Sequence, residues 1–140
     1  MIERVVINAG PLVALSLLER LDVLPALFPE FWIPVPVYAE VAIAGLGRPG
    51  AADLSAPQWA AHIHQPPELD PLLVAELDQG EASVIALART LLPCTVIIDE
   101  RRGRRIAHQI YGLPVKGTAG LLAEARRRGL VGDLRPILHQ

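Results

Sequence analysis

Four side chains stand out because of where they interrupt apolar sequence. Asn8 closes "VVIN", Asp99 closes "TVIID", and Glu40 and Glu81 break the apolar runs "PVYAEV" and "GEASVIALA". "VVIN" and "TVIID" have the composition of buried strands. In a parallel sheet, a polar residue at a strand's carboxyl end faces the crevice where ligands bind. Glu40 and Glu81 fall on otherwise apolar helices, where an unpartnered carboxylate is costly to bury. A divalent cation is one such partner. Oxygen donors gathered without His or Cys suit Mg²⁺ or Mn²⁺, which keep several waters and act on phosphate groups.

Each residue also has a purely structural reading. Asp78 and Glu81 have capping-box spacing, with Asp78 as N-cap and Glu81 at the third helical position. Glu40 could lie exposed on its helix beside Glu30 or Arg48. Asp99 could cap a helix beginning at Glu100, and Asn8 could bond backbone at the Gly10-Pro11 turn. Glu100 is either a fifth ligand or a complement to the positive start of that helix.

The run "ERRGRR" places Arg101, Arg102, Arg104 and Arg105 directly after Asp99. Arg101 and Arg105 are i,i+4 neighbours, and Arg102 and Arg105 are i,i+3. Beside an acidic pocket, Arg101, Arg102 and Arg105 suit a nucleic-acid backbone, whose phosphates drive sequence-independent affinity. A solvated face paired with acids is the alternative. "EARRRG" reads as a helix end, and Thr118 as a cap facing the site. His62 and His64 share a face of a short strand without enough N or S ligands for zinc. Trp32, Trp59, Tyr38 and Tyr111 are too scattered for a base-stacking platform.

Elements that could position these residues alternate along the chain. Strands are predicted at Arg4–Ile7, Phe31–Pro34, Thr95–Asp99 and "PVKG", with a minor one in "WAAHIHQPPELDP". Helices are predicted from Pro11 to Arg20, Asp22 to Phe28, Pro36 to Ile43, Gly80 to Leu92, Glu100 to Tyr111 and across "TAGLLAEARRRG". Gly45–Asp53 reads as a loop, and Asp133 as the cap of a final turn. Strands that alternate with helices and are apolar throughout imply a parallel sheet covered on both faces.

The 140 residues suit one domain, residues 1–140, without repeat or linker. One cysteine, Cys94, excludes a disulfide framework and makes a cytoplasmic location the default. The longest uncharged stretch, Val5 to Leu18, is too short and broken to span a membrane. A net charge of −2 argues against a protein that coats nucleic acid, although the charge is unevenly spread. Residues 1–98 hold four Lys/Arg against eleven Asp/Glu, and residues 99–140 hold nine against four.

The stretches "VINAGPLVALSLLERLDVLPALF", "IPVPVYAEV", "LDQGEASVIALA" and "VIIDERRGRRIAHQIYGLPVKGTAGLLAEARRRGLV" resemble, in order and spacing, the PIN-domain superfamily and its VapC-like branch of small prokaryotic proteins. The likeness implies an α/β fold, a three-layer α/β/α sandwich with a central parallel sheet. It also implies a metal-dependent endoribonuclease of the kind found as the toxin of toxin-antitoxin modules. The family's acids fall on Asn8, Glu40, Glu81 and Asp99, which would hold Mg²⁺ or Mn²⁺. Implied partners are an RNA substrate and a small antitoxin protein in the acidic groove, and the apolar bias of the helices between residues 11 and 45 fits a homodimer or partner interface. An Asn at position 8 lacks the charge of the family's Asp, which leaves Glu40, Glu81 and Asp99 to balance one ion and implies weak metal binding. The alternative is a weakened PIN-like domain that binds RNA or a protein without cutting. Signalling by phosphorylation of Asp99 is disfavoured, because such sites want paired acids where this chain has Asn8-Ala9.

Overall fold

The computed structural model describes residues 3–130. Five short strands form a parallel sheet: β1 (Arg4–Ile7), β2 (Glu30–Pro34), β3 (Ile63–His64), β4 (Thr95–Ile97) and β5 (Val115–Lys116). Their spatial order is β3-β2-β1-β4-β5. Val5, Val6 and Ile7 of β1 and Val96 and Ile97 of β4 are fully buried, as expected of β-branched strands covered on both faces. Val6 pairs with Trp32 on one side and Val96 on the other.

Helices fill the crossovers: α1 (Ala9–Leu17), α2 (Val23–Leu27), α3 (Val35–Tyr38), α4 (Ala51–Leu54), α5 (Pro71–Glu76), α6 (Gln79–Thr90), α7 (Arg101–Arg105) and α8 (Thr118–Arg127). α6 lies across β1, β2 and β4, with α3 and α5 against it; α1 and α2 pack with α8 in the other helical layer. The result is the expected α/β sandwich around a parallel sheet. α3 and α7 each run on into a wider π-helical turn, Ala39–Ala44 and Ile106–Ile110. Among the described residues no helix is long and apolar enough to cross a membrane.

The chain builds β1, β2 and β3 outward in one direction, then returns to lay β4 on the other side of β1. The strand order therefore reverses between β1 and β4, and the crevice at their carboxyl ends is the switch point of the sheet. Asn8 donates its backbone N–H to the carbonyl of Ile97 at 3.0 Å, which ties those two ends together.

Several elements differ from the sequence expectation. α1 begins at Ala9, because Pro11 occupies its first turn, where a missing N–H is harmless. Part of the expected Gly45–Asp53 loop folds as α4. Most of the expected minor strand is a 3₁₀ turn, Pro57–His62, with β3 left as two residues. α5 was not expected: Pro71 opens it and Asp70 caps it, the carboxylate accepting from Leu73 N at 2.9 Å. Asp22 stands before α2 but makes no side-chain cap bond. Asp133 lies outside the described residues.

Candidate functional site

An open cleft of about 420 Å³ lies at the switch point, lined by Asn8, Ala9, Gly10, Pro11, Glu40, Asp78, Asp99 and Glu100. β1 delivers Asn8, the π turn after α3 delivers Glu40, and the first turn of α6 delivers Asp78 and Glu81. The end of β4 delivers Asp99 and Glu100. A larger cavity of about 710 Å³, lined in part by Ser16, Asp22, Phe31, Trp59 and His62, shares no residue with this cleft. Phe31 pairs with Val5 at the amino-terminal half of the sheet, away from the strand ends where parallel sheets build their sites.

Gly80 is the point on which one set of oxygens converges. A Cβ there would lie 3.1 Å from Glu40 Oε1 and 3.5 Å from both Asn8 Oδ1 and Asp78 Oδ1. Glu40 thus faces the cleft rather than Arg48. Asn8 makes no side-chain cap bond to α1, so the turn-bonding role is not the one it performs.

Glu81 is the buried member. It is 4% exposed, and its Oε2 has no hydrogen-bond partner among the described residues. That oxygen lies over Gly103 of α7, where a Cβ would meet it at 2.5 Å, so the close approach requires glycine. Burial first, then a hydrogen bond to Asp78 and the charges of Asp78, Glu100 and Glu40, push the Glu81 carboxyl up to about 8. Burial and the Asp78 charge also raise Glu40. Carboxylate oxygens of Asp78, Glu81 and Glu100 all lie within 4.8 Å of one another. Carboxylates this close repel unless a proton or a cation sits between them. An orphaned buried oxygen, a glycine that makes room for it and a purely oxygen donor set together fit a hard divalent ion.

Asp99 takes a different attitude from a helix cap at Glu100. Its Oδ1 accepts from Thr118 N at 2.7 Å, and its Oδ2 accepts from the Thr118 hydroxyl at 2.6 Å. Thr118 is therefore the donor at the start of α8 and not its capping acceptor. Its bonds fix the Asp99 rotamer, while each carboxylate oxygen keeps a lone pair for the cleft. Glu100 occupies the cap position of α7 but makes no side-chain bond there, which leaves its carboxylate beside Asp78 and Glu81.

The arginines divide by role. Arg104 donates to the Ile98 carbonyl at 2.9 Å and buttresses the end of β4, and Arg102 pairs with Glu76 of α5. Arg101 and Arg105 are exposed and make no ion pair among the described residues. His62 stacks on Phe31 at 3.7 Å and meets the Phe31 carbonyl at 3.0 Å, while His64 packs edge-on against Trp32. The two histidines thus serve packing on separate elements.

The residue that sequence reasoning undervalued is Asp78. Its capping role holds, with Oδ1 accepting from Glu81 N at 2.8 Å. The same carboxylate also lines the cleft, and the signal was its position three residues before a buried glutamate.

A parallel sheet sheathed by helices, with an acidic cleft at its switch point, defines an α/β protein with its candidate site at the strand ends. The chain belongs to the PIN-domain family: the family model DUF3368, described as a PIN domain, matches residues 4–140. Among solved structures it is similar to the crystal structure of PAE2754 from Pyrobaculum aerophilum. The two are 18% identical, with a TM-score of 0.57 over 91% of this chain and 99% of that one. No curated protein matches the chain.

Proposed function

We propose that this chain is a metal-dependent endoribonuclease, with Asn8, Glu40, Glu81 and Asp99 as its catalytic and metal-holding residues. The observation that carries the reading is Glu81, a buried carboxylate with an orphaned oxygen surrounded by other acids. Bound Mg²⁺ or Mn²⁺ would make a coordinated water a better nucleophile and neutralise charge developing on the phosphodiester. Glu40 and Glu81 supply hard oxygens, Thr118 holds Asp99 in orientation, and Glu100 stands close enough to accept a proton from the cleft. Arg101, Arg102 and Arg105 follow on α7, where Arg101 and Arg105 are free to take phosphates and so place the RNA backbone beside the acids. Released to RNA, Arg102 would have to leave Glu76, which makes it the weakest of the three.

We further propose the VapC-like toxin role, a cytoplasmic protein of one domain over residues 1–140 that is held in check by a small antitoxin in the acidic groove. Leu17, Ile43 and Leu46 are exposed on α1 and the segment after α3, and they support a face for a partner or a second copy. Incubation of the purified chain with single-stranded RNA and Mn²⁺ tests the activity. Cleavage that EDTA and Glu81→Ala each abolish supports it; cleavage that survives both removes the assigned centre.

A further inference from the structure

Asp78 stands outside the acids that the family resemblance assigns, yet it touches both halves of the cleft. Its Oδ1 lies beside Asn8 Oδ1 and Glu40 Oε1, all three within 3.5 Å of the point above Gly80. Its carboxylate also lies within 4.8 Å of oxygens of Glu81 and Glu100. Glu81 is 4% exposed, and its Oε2 has no hydrogen-bond partner among the described residues. A buried oxygen of that kind needs a cation or proton opposite it.

The charge on the Asn8 side is what Asp78 changes. Asn8 offers a neutral amide oxygen, whereas divalent affinity follows the number of charged ligands and the rigidity of the site. Asp99 gives part of its electron density to two Thr118 donors. Asp78 brings a full carboxylate to the same point as the Asn8 amide, and its bond to Glu81 N holds it there. We propose that Asp78 is a cation ligand and supplies the negative charge that Asn8 lacks. The proposal rests on the metal-dependent reading above and adds to it a ligand from the first turn of α6.

The test is Mn²⁺ binding without RNA, by titration calorimetry and by the loss of the free-ion resonance signal. Four proteins are compared: wild type, Asp78→Asn, Asn8→Asp and the double variant. Asn caps helices as well as Asp does, so Asp78→Asn keeps the acceptor for Glu81 N, and thermal melting in EDTA checks that the fold is retained. Asp78→Asn is expected to weaken Mn²⁺ binding at least ~10-fold, and Asn8→Asp in that background to restore most of the loss. Wild-type affinity in Asp78→Asn, or a double variant as weak as the single, overturns the proposal. A wild type that binds no Mn²⁺ at millimolar concentration overturns the metal-dependent reading itself, and the proposal with it.

Discussion

Glu81→Gln separates the cost of the acidic cluster from the rest of the fold. In the folded chain the Glu81 carboxyl is raised from 4.5 to about 8 by burial and by Asp78, Glu100 and Glu40. Between those two pH values the native state holds a proton that the unfolded chain has already released. The stabilisation from this protonated carboxyl is therefore complete below about pH 4.5, falls as pH rises, and is gone above about pH 8. One pH unit corresponds to about 1.4 kcal/mol, so the window from 4.5 to about 8 is worth roughly 5 kcal/mol. Glutamine fills the same space without titrating. Urea unfolding of both proteins in EDTA, from pH 4 to 9, measures the difference directly because the other titrating groups largely cancel. The wild type should lose roughly 5 kcal/mol relative to Glu81→Gln across the window, with parallel curves above it. A difference that stays constant with pH would show that Glu81 is not held neutral by its neighbours. Mn²⁺ at pH 8 should then stabilise the wild type and leave Glu81→Gln nearly unchanged.

Gly103→Ala places a methyl 2.5 Å from Glu81 Oε2 and 3.1 Å from Ile98 Cγ2. The overpacking should cost about 1–3 kcal/mol in urea unfolding, although alanine is the better helix former. Neutralising Arg101 and Arg105 should lower RNA affinity uniformly across sequences and flatten its salt dependence by about 0.7 in log–log slope per arginine, as filter binding at several salt concentrations would record. Tyr111→Phe removes the hydroxyl that donates to Asp70 Oδ2 at 2.8 Å, beneath the Arg89 guanidinium stacked at 4.7 Å. A loss of about 1 kcal/mol in thermal melting with unchanged Mn²⁺ binding is expected, which makes it a control for variants in the cleft.

The central strands were legible because β1 and β4 are short β-branched runs with helical patterns between them, a combination that few folds other than a covered parallel sheet accommodate. The prolines misled where they marked helix starts and not breaks. Pro71 opens α5 because its missing N–H has no partner to lose, and Asp70 then caps the turn. The π turns carry no comparable signal in residue type, yet one of them aims Glu40 at Gly80. Among site residues, strand ends and lone helical acids led to Asn8, Glu40, Glu81 and Asp99. Asp78 was passed over because its local capping role sufficed to explain it. The bond from Thr118 to Asp99 joins residues 19 apart in sequence. Only the parallel pairing of β4 with β5, which sets the start of α8 beside the end of β4, brings them together.

Asn8 can be understood by asking what an aspartate there would do. Glu40, Asp78, Asp99 and Glu100 already line the cleft, with Glu81 buried behind them. A further carboxylate beside Glu40 Oε1 and Asp78 Oδ1 would add repulsion where two carboxyls are already raised by their neighbours. Asn8→Asp in the otherwise wild-type chain should therefore act in opposite directions. Without metal it should lower the melting temperature at pH 8 more than at pH 5, because the added charge is then unscreened by protons. With Mn²⁺ it should raise affinity, because the same charge becomes a ligand. A variant destabilised in both conditions would mean that residue 8 faces no cation. The crossover would mean that the neutral amide trades metal affinity for stability of the metal-free protein, with Asp78 carrying the charge that the first strand end gives up.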